Sequence, residues 1–306
     1  MRPTLRQLQY FVAIADNGKM GDAARSLGVS QPSLSSQVAE VEAELGVSLV
    51  ERGRHGAHLT PVGQEFVRRA RDILRDVEAL KTVTRREPGE LISHIKLGVI
   101  PSVGPYLLPS VTRHLHTRFP KLRLSVREER SIDLERSLRD ARLDTVISTQ
   151  EDHRDAEALP LLEEQFWACG AQDSGLGDPG APLPLEQLAG QTLLTLEYGH
   201  QMSSVIQNLA AQANARVGSE YEGTSLDAIR QMAAMGAGIA ILPSLYALHE
   251  ASRDGSLVLR PIQHPLARRT ISLVWRPSSP IKSDFHLLAQ NIRGVAEGLM
   301  KDQDRI

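Results

Sequence analysis

From Ile95 onward the sequence alternates between short apolar, β-branched runs and amphipathic segments, and this alternation limits the fold more than any other feature. "IKLGVI" predicts a strand, and residues 105–119 predict a helix with Leu107, Leu108, Val111, Leu115 and Phe119 on or near its buried face. "LRLSV", "DLERSLRDARL" and "DTVIST" continue as strand, helix and strand. A second set follows: "EQFWACG", "QTLLTLE", a helix after Gly199, a helix from Ser225 to Met235, and "GAGIAILP". "TISLVWRP" can return to the first sheet. The expectation is a parallel sheet covered by helices, divided into two α/β lobes with a cleft between them. The lobes are expected at 91–164 with 267–306, and at 165–266.

Open α/β sheets bind ligands beyond the carboxyl ends of their strands. Those ends carry Ser102 and Val103, then Glu129 to Ser131, then Thr149; in the second lobe they carry His200 and Gln201, then Thr224 and Ser225. Several of these positions also open helices, where unpaired amides attract oxygen-rich or negative groups. Ser102, Thr224 and Ser225 taken singly suit plain helix caps. Taken together the positions point to a pocket for a small polar ligand, an anionic one included.

The first 60 residues differ in character. Thr4 can cap a helix running to about Asn17, with Leu5, Leu8, Phe11, Val12 and Ala15 on one face and Gly18 at its stop. A short helix over about 21–27 turns Ala23, Ala24 and Leu27 inward, and Gly28 supplies a tight turn. A third helix starts near Ser30–Pro32, with an apolar stripe of Leu34, Val38, Val41 and Leu45. Its other side carries Pro32, Ser33, Ser35, Ser36, Ala39, Glu40 and Ala43, flanked by Gln31 and Gln37. Small residues there allow close approach, and the hydroxyls and amides can bond phosphates or base edges. Helix, glycine turn, helix with a small polar face is the helix-turn-helix arrangement, although a helical bundle with a solvated serine face has the same pattern. "ERGRHGAHLT" predicts a wing whose Arg52 and Arg54 either track a DNA backbone or are ordinary surface charge. Six Lys/Arg and six Asp/Glu in residues 1–60 mean that DNA contact must come from the arrangement of charge.

Thr60 and Pro61 open a long helix, residues 61–87, in which Phe66, Ala70, Ile73, Val77, Leu80 and Thr84 recur at 4-3-4-3-4. That seam would pair two chains and set two recognition helices on one two-fold-symmetric duplex site; the competing use is packing within the chain. "REPGE" ends the helix, and residues 88–90 are expected to act as a hinge between it and the lobes.

The totals exclude several classes. No apolar stretch approaches a membrane span, and "MRPTLRQLQY" lacks the apolar run of a signal peptide, so a cytoplasmic location is expected. There is no P-loop, nucleotide-binding glycine fingerprint, metal-ligand spacing or Gly-x-Ser-x-Gly elbow, so neither an enzyme nor a cofactor or metal is expected. "RHLH" at 113–116 falls on a helix as solvated surface.

"LRQLQYFVAIADNG", "AARSLGVSQPSLSSQVAEVEAELGVSLVER" and "LTPVGQ" resemble the DNA-binding signature of the LysR-type transcriptional regulators, and the likeness continues through "GAGIAILP". "IPSVGPYLLP", "RFPKL", "TSLDAIRQMAAMGAGIAILP" and "ARRTISLVWRPSSP" are similar to the peroxide-responsive branch. The resemblance implies a winged helix-turn-helix, a linker helix, and a two-lobed effector domain like a periplasmic binding protein, assembled as a homodimer and usually a homotetramer. That branch senses peroxide through a cysteine directly after a histidine. Here His200 is followed by Gln201, with Ala210 at the resolving position, so the redox switch does not carry over. The branch's peroxide site corresponds to Ser102, Ser131, His200 and Arg269, which with Thr149, Gln201 and Thr224 are the expected ligand contacts. Cys169, the one cysteine of the chain, is expected to be a buried, inert thiol. The alternatives are a repressor of this branch that no longer senses anything and, more remotely, an α/β solute-binding protein or enzyme.

Overall fold

The computed structural model describes residues 3–53, 56–83, 91–92, 94–196, 201–218 and 225–303. Arg54, His200, Thr224 and the expected hinge at 88–90 lie outside the described residues, as do the side chains of Arg52 and Gln201.

Three helices open the chain: α1 (Leu5–Asn17), α2 (Met20–Ser26) and α3 (Gln31–Leu45). Thr4 and Gln7 form a reciprocal capping box on α1. The inward face of α1 is Gln7, Leu8, Tyr10, Phe11 and Ile14, rotated from the expected stripe: Leu5 is exposed, and Val12 and Ala15 are half-buried. Gln7 is held inside because its amide donates to Gln37 Oε1 of α3 at 3.2 Å. Ser30 caps α3 by accepting from the Ser33 amide, and Gly46 ends it at φ 68°, a conformation glycine adopts without a Cβ penalty. Leu34, Val38 and Val41 are buried, but Leu45, in the last turn, is exposed. Strands β1 (Val50–Gly53) and β2 (Gly56–Leu59) pair antiparallel as the wing.

The linker helix is α4 (Pro61–Val83). Gly63 lets it cross the chain closely, since a Cβ there would lie 2.0 Å from the Leu49 carbonyl oxygen. Its apolar residues divide between two uses. Val67 and Ala70 are buried and Phe66 stacks edge-on to Phe11 at 4.9 Å, so the start of the seam packs within the chain. Val62, Ile73 and Leu80 are exposed.

The remainder runs β3 (His94–Val99), α5 (Gly104–Arg118), β4 (Arg123–Glu128), α6 (Ser131–Arg139), β5 (Thr145–Thr149), β6 (Glu157–Ala171), β7 (Leu183–Pro184) and β8 (Thr192–Leu194). Then come α7 (Gln201–Ala213), β9 (Arg216–Val217), α8 (Leu226–Ala234), β10 (Ile239–Pro243), α9 (Ser244–His249), β11 (Leu257–Gln263), β12 (Arg268–Trp275) and α10 (Lys282–Gln303). The sheet order is β4-β3-β5-β12-β6-β10-β8-β9, with β11 on β6. Strands β4, β3 and β5 are parallel, as are β10, β8 and β9. The expected purely parallel arrangement fails at the centre, where β12 and β6 run antiparallel to their neighbours. Strand β6 is the reason. Its residues 157–165 pair with β12 in the first lobe, and 166–171 pair with β10 and β11 in the second. One continuous strand thus crosses between two hydrophobic cores, one around Ile95, Leu107, Leu134 and Phe285, the other around Phe166, Leu193, Ile206 and Ile241.

Candidate ligand pocket and nucleic-acid interface

Between the lobes lies a cavity of about 250 Å³, slightly below the usual range for small-molecule sites. The turn after β3 supplies Ser102 and α5 supplies Tyr106; the end of β4 supplies Glu128 and the start of α6 Ser131; the end of β5 supplies Thr149 and the turn after it Asp152. The second lobe adds Met202, Ser225, Asp227 and Tyr246, and Arg269 rises from β12. The four expected contacts that fall within the described side chains, Ser102, Ser131, Thr149 and Arg269, therefore line one space.

Their chemistry differs from the expectation in one respect. Arg269 does not present a free cation: its Nε lies 2.8 Å and its Nη2 2.5 Å from Glu164 Oε2. That pair is buried, with side chains 3% and 0% exposed. The other carboxylate oxygen, Oε1, accepts the Leu245 amide at 3.2 Å, at the start of α9. Arg269 Nη2 also donates to Ser102 Oγ at 2.9 Å. Thr149 Oγ1 donates to Asp152 Oδ2 at 2.9 Å, and the Tyr246 hydroxyl donates to Asp227 Oδ1 at 2.6 Å. Ser225 caps α8 through the Ala228 amide, as a plain helix cap would. Of the other strand-end positions, Val103 is buried in the first-lobe core and Glu129 accepts from Arg127, so neither faces the cavity.

Sequence patterns missed Tyr106, Glu128, Asp152, Asp227 and Tyr246. Asp152 and Glu128 lie within three residues of expected contacts, so the strand-end rule applied more broadly would have included them. Tyr106 meets Tyr246 edge-to-face at 6.1 Å across the cleft. Burial pushes the Tyr106 phenol up to about 12, and the carboxylates of Glu250, Asp227 and Glu128 add to the shift. Cys169 is fully buried in the second-lobe core, and burial likewise raises its thiol to about 12.

On α3, Gln31, Pro32, Ser33 and Ser36 are exposed, and Ser35 and Gln37 are half-buried. Gln37 is partly committed inward, accepting from Gln7 and donating to Glu40 Oε2 at 3.2 Å. Several acidic side chains of this N-terminal unit are engaged within the chain. Glu42 Oε1 accepts the Leu49 and Val50 amides at 2.7 and 2.9 Å, Asp22 pairs with Arg25, and Asp16 pairs with Arg71.

Helix α4 connects this unit to the first lobe. Arg71 bonds Asp16 Oδ1 at 2.5 Å and the Asp140 carbonyl at 2.6 Å, bridging the two. Arg75 meets Asp144 at 2.5 Å, and Asp72 meets Arg276 at 2.9 Å.

Residues 5–64 match the bacterial regulatory helix-turn-helix protein, lysR family, and residues 88–297 match the LysR substrate binding domain. The chain is 37% identical over 295 residues, 96% of each chain, to the DNA-binding transcriptional dual regulator OxyR of Escherichia coli strain K12. It superposes on a full-length cysteine-to-aspartate variant of Pseudomonas aeruginosa OxyR with a TM-score of 0.77 and 30% identity, covering 95% of this chain and 98% of that one. A cysteine-to-serine mutant of Corynebacterium glutamicum OxyR, H2O2-bound, gives a TM-score of 0.68 at 27% identity, covering 100% and 96%. With a matching helix-turn-helix unit, linker helix and two-lobed effector domain, this chain belongs to the LysR family of DNA-binding transcription regulators.

Proposed function

We propose that this regulator is controlled by a small polar ligand held reversibly between its lobes and not by a disulfide switch. The observation that carries the reading is the cavity itself: hydroxyls at three strand ends and Arg269 line one space between the lobes, while the only thiol is buried in the second-lobe core. A disulfide within one chain needs two cysteines, and this sequence has one. His200, Gln201 and Thr224 complete the proposed ligand set, with glutamine supplying two donors and an acceptor at the position a reactive thiol would take.

In this reading Gln31, Pro32, Ser33, Ser35, Ser36 and Gln37 face the major groove, and Arg52 and Arg54 follow the phosphates from the wing. The exposed Ile73 and Leu80 of α4 pair with a second copy, and dimers pair further into a tetramer on a two-fold-symmetric operator. In this reading the protein works in the cytoplasm, where its DNA partner lies. The functional units are residues 1–60, 61–87, the hinge 88–90, and the lobes 91–164 with 267–306 and 165–266. The Arg71, Arg75 and Arg276 contacts supply a physical route from a lobe movement to α4.

The test is a thermal-shift screen of the full-length protein against a metabolite panel, followed by operator binding with each hit. A ligand that raises Tm and changes operator affinity is expected. A protein whose Tm and operator affinity respond to no metabolite is a repressor that has lost sensing, which refutes the reading.

A further inference from the structure

Among its charged groups, the cavity leaves mostly acceptor capacity unspent. Three of its donors are already used inside the protein: Arg269 on Glu164 and Ser102, Thr149 on Asp152, and Tyr246 on Asp227. What remains open is the second oxygen of Asp152, the second oxygen of Asp227, and the carboxylate of Glu128, for which no partner is found among the described residues. Among the donors, the Ser131 and Tyr106 hydroxyls line the cavity without a hydrogen-bond partner among the described residues, Ser131 at 6% exposure. Facing the cavity, these hydroxyls are open to a ligand or to water.

The charge balance has the same sign. Glu128, Asp152 and Asp227 line the cavity against Arg269, the one arginine or lysine among its described lining residues, whose charge is matched by the buried Glu164. Arg230 lies 3.9 Å from Asp227 but is drawn to Asp254 Oδ2 at 2.5 Å. The walls supply two aromatic faces, Tyr106 and Tyr246, suited to a cation. The acidic groups are not a metal site, since no group of three His, Cys, Asp or Glu side chains among the described residues could hold an ion.

Building on the ligand-controlled reading above, we propose that the ligand of this pocket is a small organic cation, an alkylammonium or guanidinium whose N–H groups bond Glu128, Asp152 and Asp227 and whose carbon chain lies against Tyr106 and Tyr246. The anionic ligand that the strand-end amides and Arg269 suggest in the sequence is disfavoured, because the arginine is neutralised from within and the surrounding carboxylates repel it.

The experiment compares ligands of one chain length and different charge. Putrescine, butanediol and succinate, with agmatine as the guanidinium probe, are titrated against the full-length protein by calorimetry and thermal shift. Putrescine or agmatine is expected to raise Tm by about 5 °C at a hundredfold excess over Kd, with no response to succinate. The double substitution Glu128→Gln, Asp152→Asn is expected to weaken the cation by about tenfold or more and to narrow the preference over succinate. Ser131→Phe is expected to block binding by filling the space. If succinate binds, the cations do not, and Ser131→Phe removes that binding, the charge assignment is overturned while the pocket reading stands. If no probe and no member of the metabolite panel binds, both fall. A cation response unchanged in both variants places its binding elsewhere and also overturns the proposal.

Discussion

Removing Glu164 tests the centre of the interlobe crossing. The side chain is fully buried and meets Arg269 through Nε and Nη2 while accepting the Leu245 amide. Glu164→Ala leaves a guanidinium that is 3% exposed with no counter-charge, and an orphan amide at the start of α9. Breaking one side of a buried pair costs about 3–5 kcal/mol, which for a domain of this size is a Tm loss of about 6 °C or more. Replacing both members with apolar residues, Glu164→Leu with Arg269→Met, removes the unpaired charge and leaves only the orphan Leu245 amide, so the double variant is expected to recover to within about 1–3 kcal/mol of wild type. The assay is a double-mutant cycle by urea and thermal denaturation of the full-length protein. A Glu164→Ala variant as stable as wild type, or a coupling energy below about 1 kcal/mol, refutes the claim that this pair holds Arg269. Glu164→Gln adds a second readout: with its neutralising partner gone, Arg269 is expected to strengthen succinate binding in the pocket.

Three further outcomes follow from other parts of the molecule. Ser33→Glu with Ser36→Glu places two negative charges on the exposed side of α3, and is expected to weaken operator binding about a hundredfold or more at unchanged Tm; an unaltered gel shift refutes the recognition-helix assignment. Burial lowers the His153 pKa below 6.5, against a smaller opposing effect of Asp152, and neither ring nitrogen has a hydrogen-bond partner among the described residues. The folded state therefore favours the neutral ring: His153 contributes stability above pH 6.5 that is lost as the pH falls from 6.5 towards its lowered folded-state value. Urea melts of wild type and His153→Gln across that window should show a shallower slope in the variant, and equal slopes would contradict this. Cys169, with its thiol near 12, should react with a thiol reagent roughly a thousandfold slower in the native protein than after denaturation; equal rates would show that it is accessible.

Much of the fold is legible in the sequence because period and punctuation agree. Ser30, Pro32 and Gly46 bracket α3, its buried residues recur at helical spacing, and β/α alternation marks both lobes. The misses have particular causes. Leu45 belongs to the stripe by spacing, but the helix ends there and leaves it exposed. The seam of α4 is regular in sequence, yet Phe66 finds Phe11, and periodicity does not say which partner a stripe will meet. Only the second half of strand β6, "EQFWACG", is legible, because Pro160 and Glu163 break the apolar run of its first half. The strand-end rule leads to the hydroxyls that line the cavity, but it says nothing of how the cavity's charge is balanced. Arg269 looks like a ligand's counter-ion until Glu164, 105 residues away in sequence, is seen to occupy it.

The most direct test of the account is a nuclease footprint of the full-length protein on its own promoter, run after hydrogen peroxide, after dithiothreitol, and with whichever ligand raises its Tm. The account predicts the same footprint after oxidant and reductant, and a changed one with the ligand. A footprint that changes with peroxide and not with a pocket ligand would contradict it.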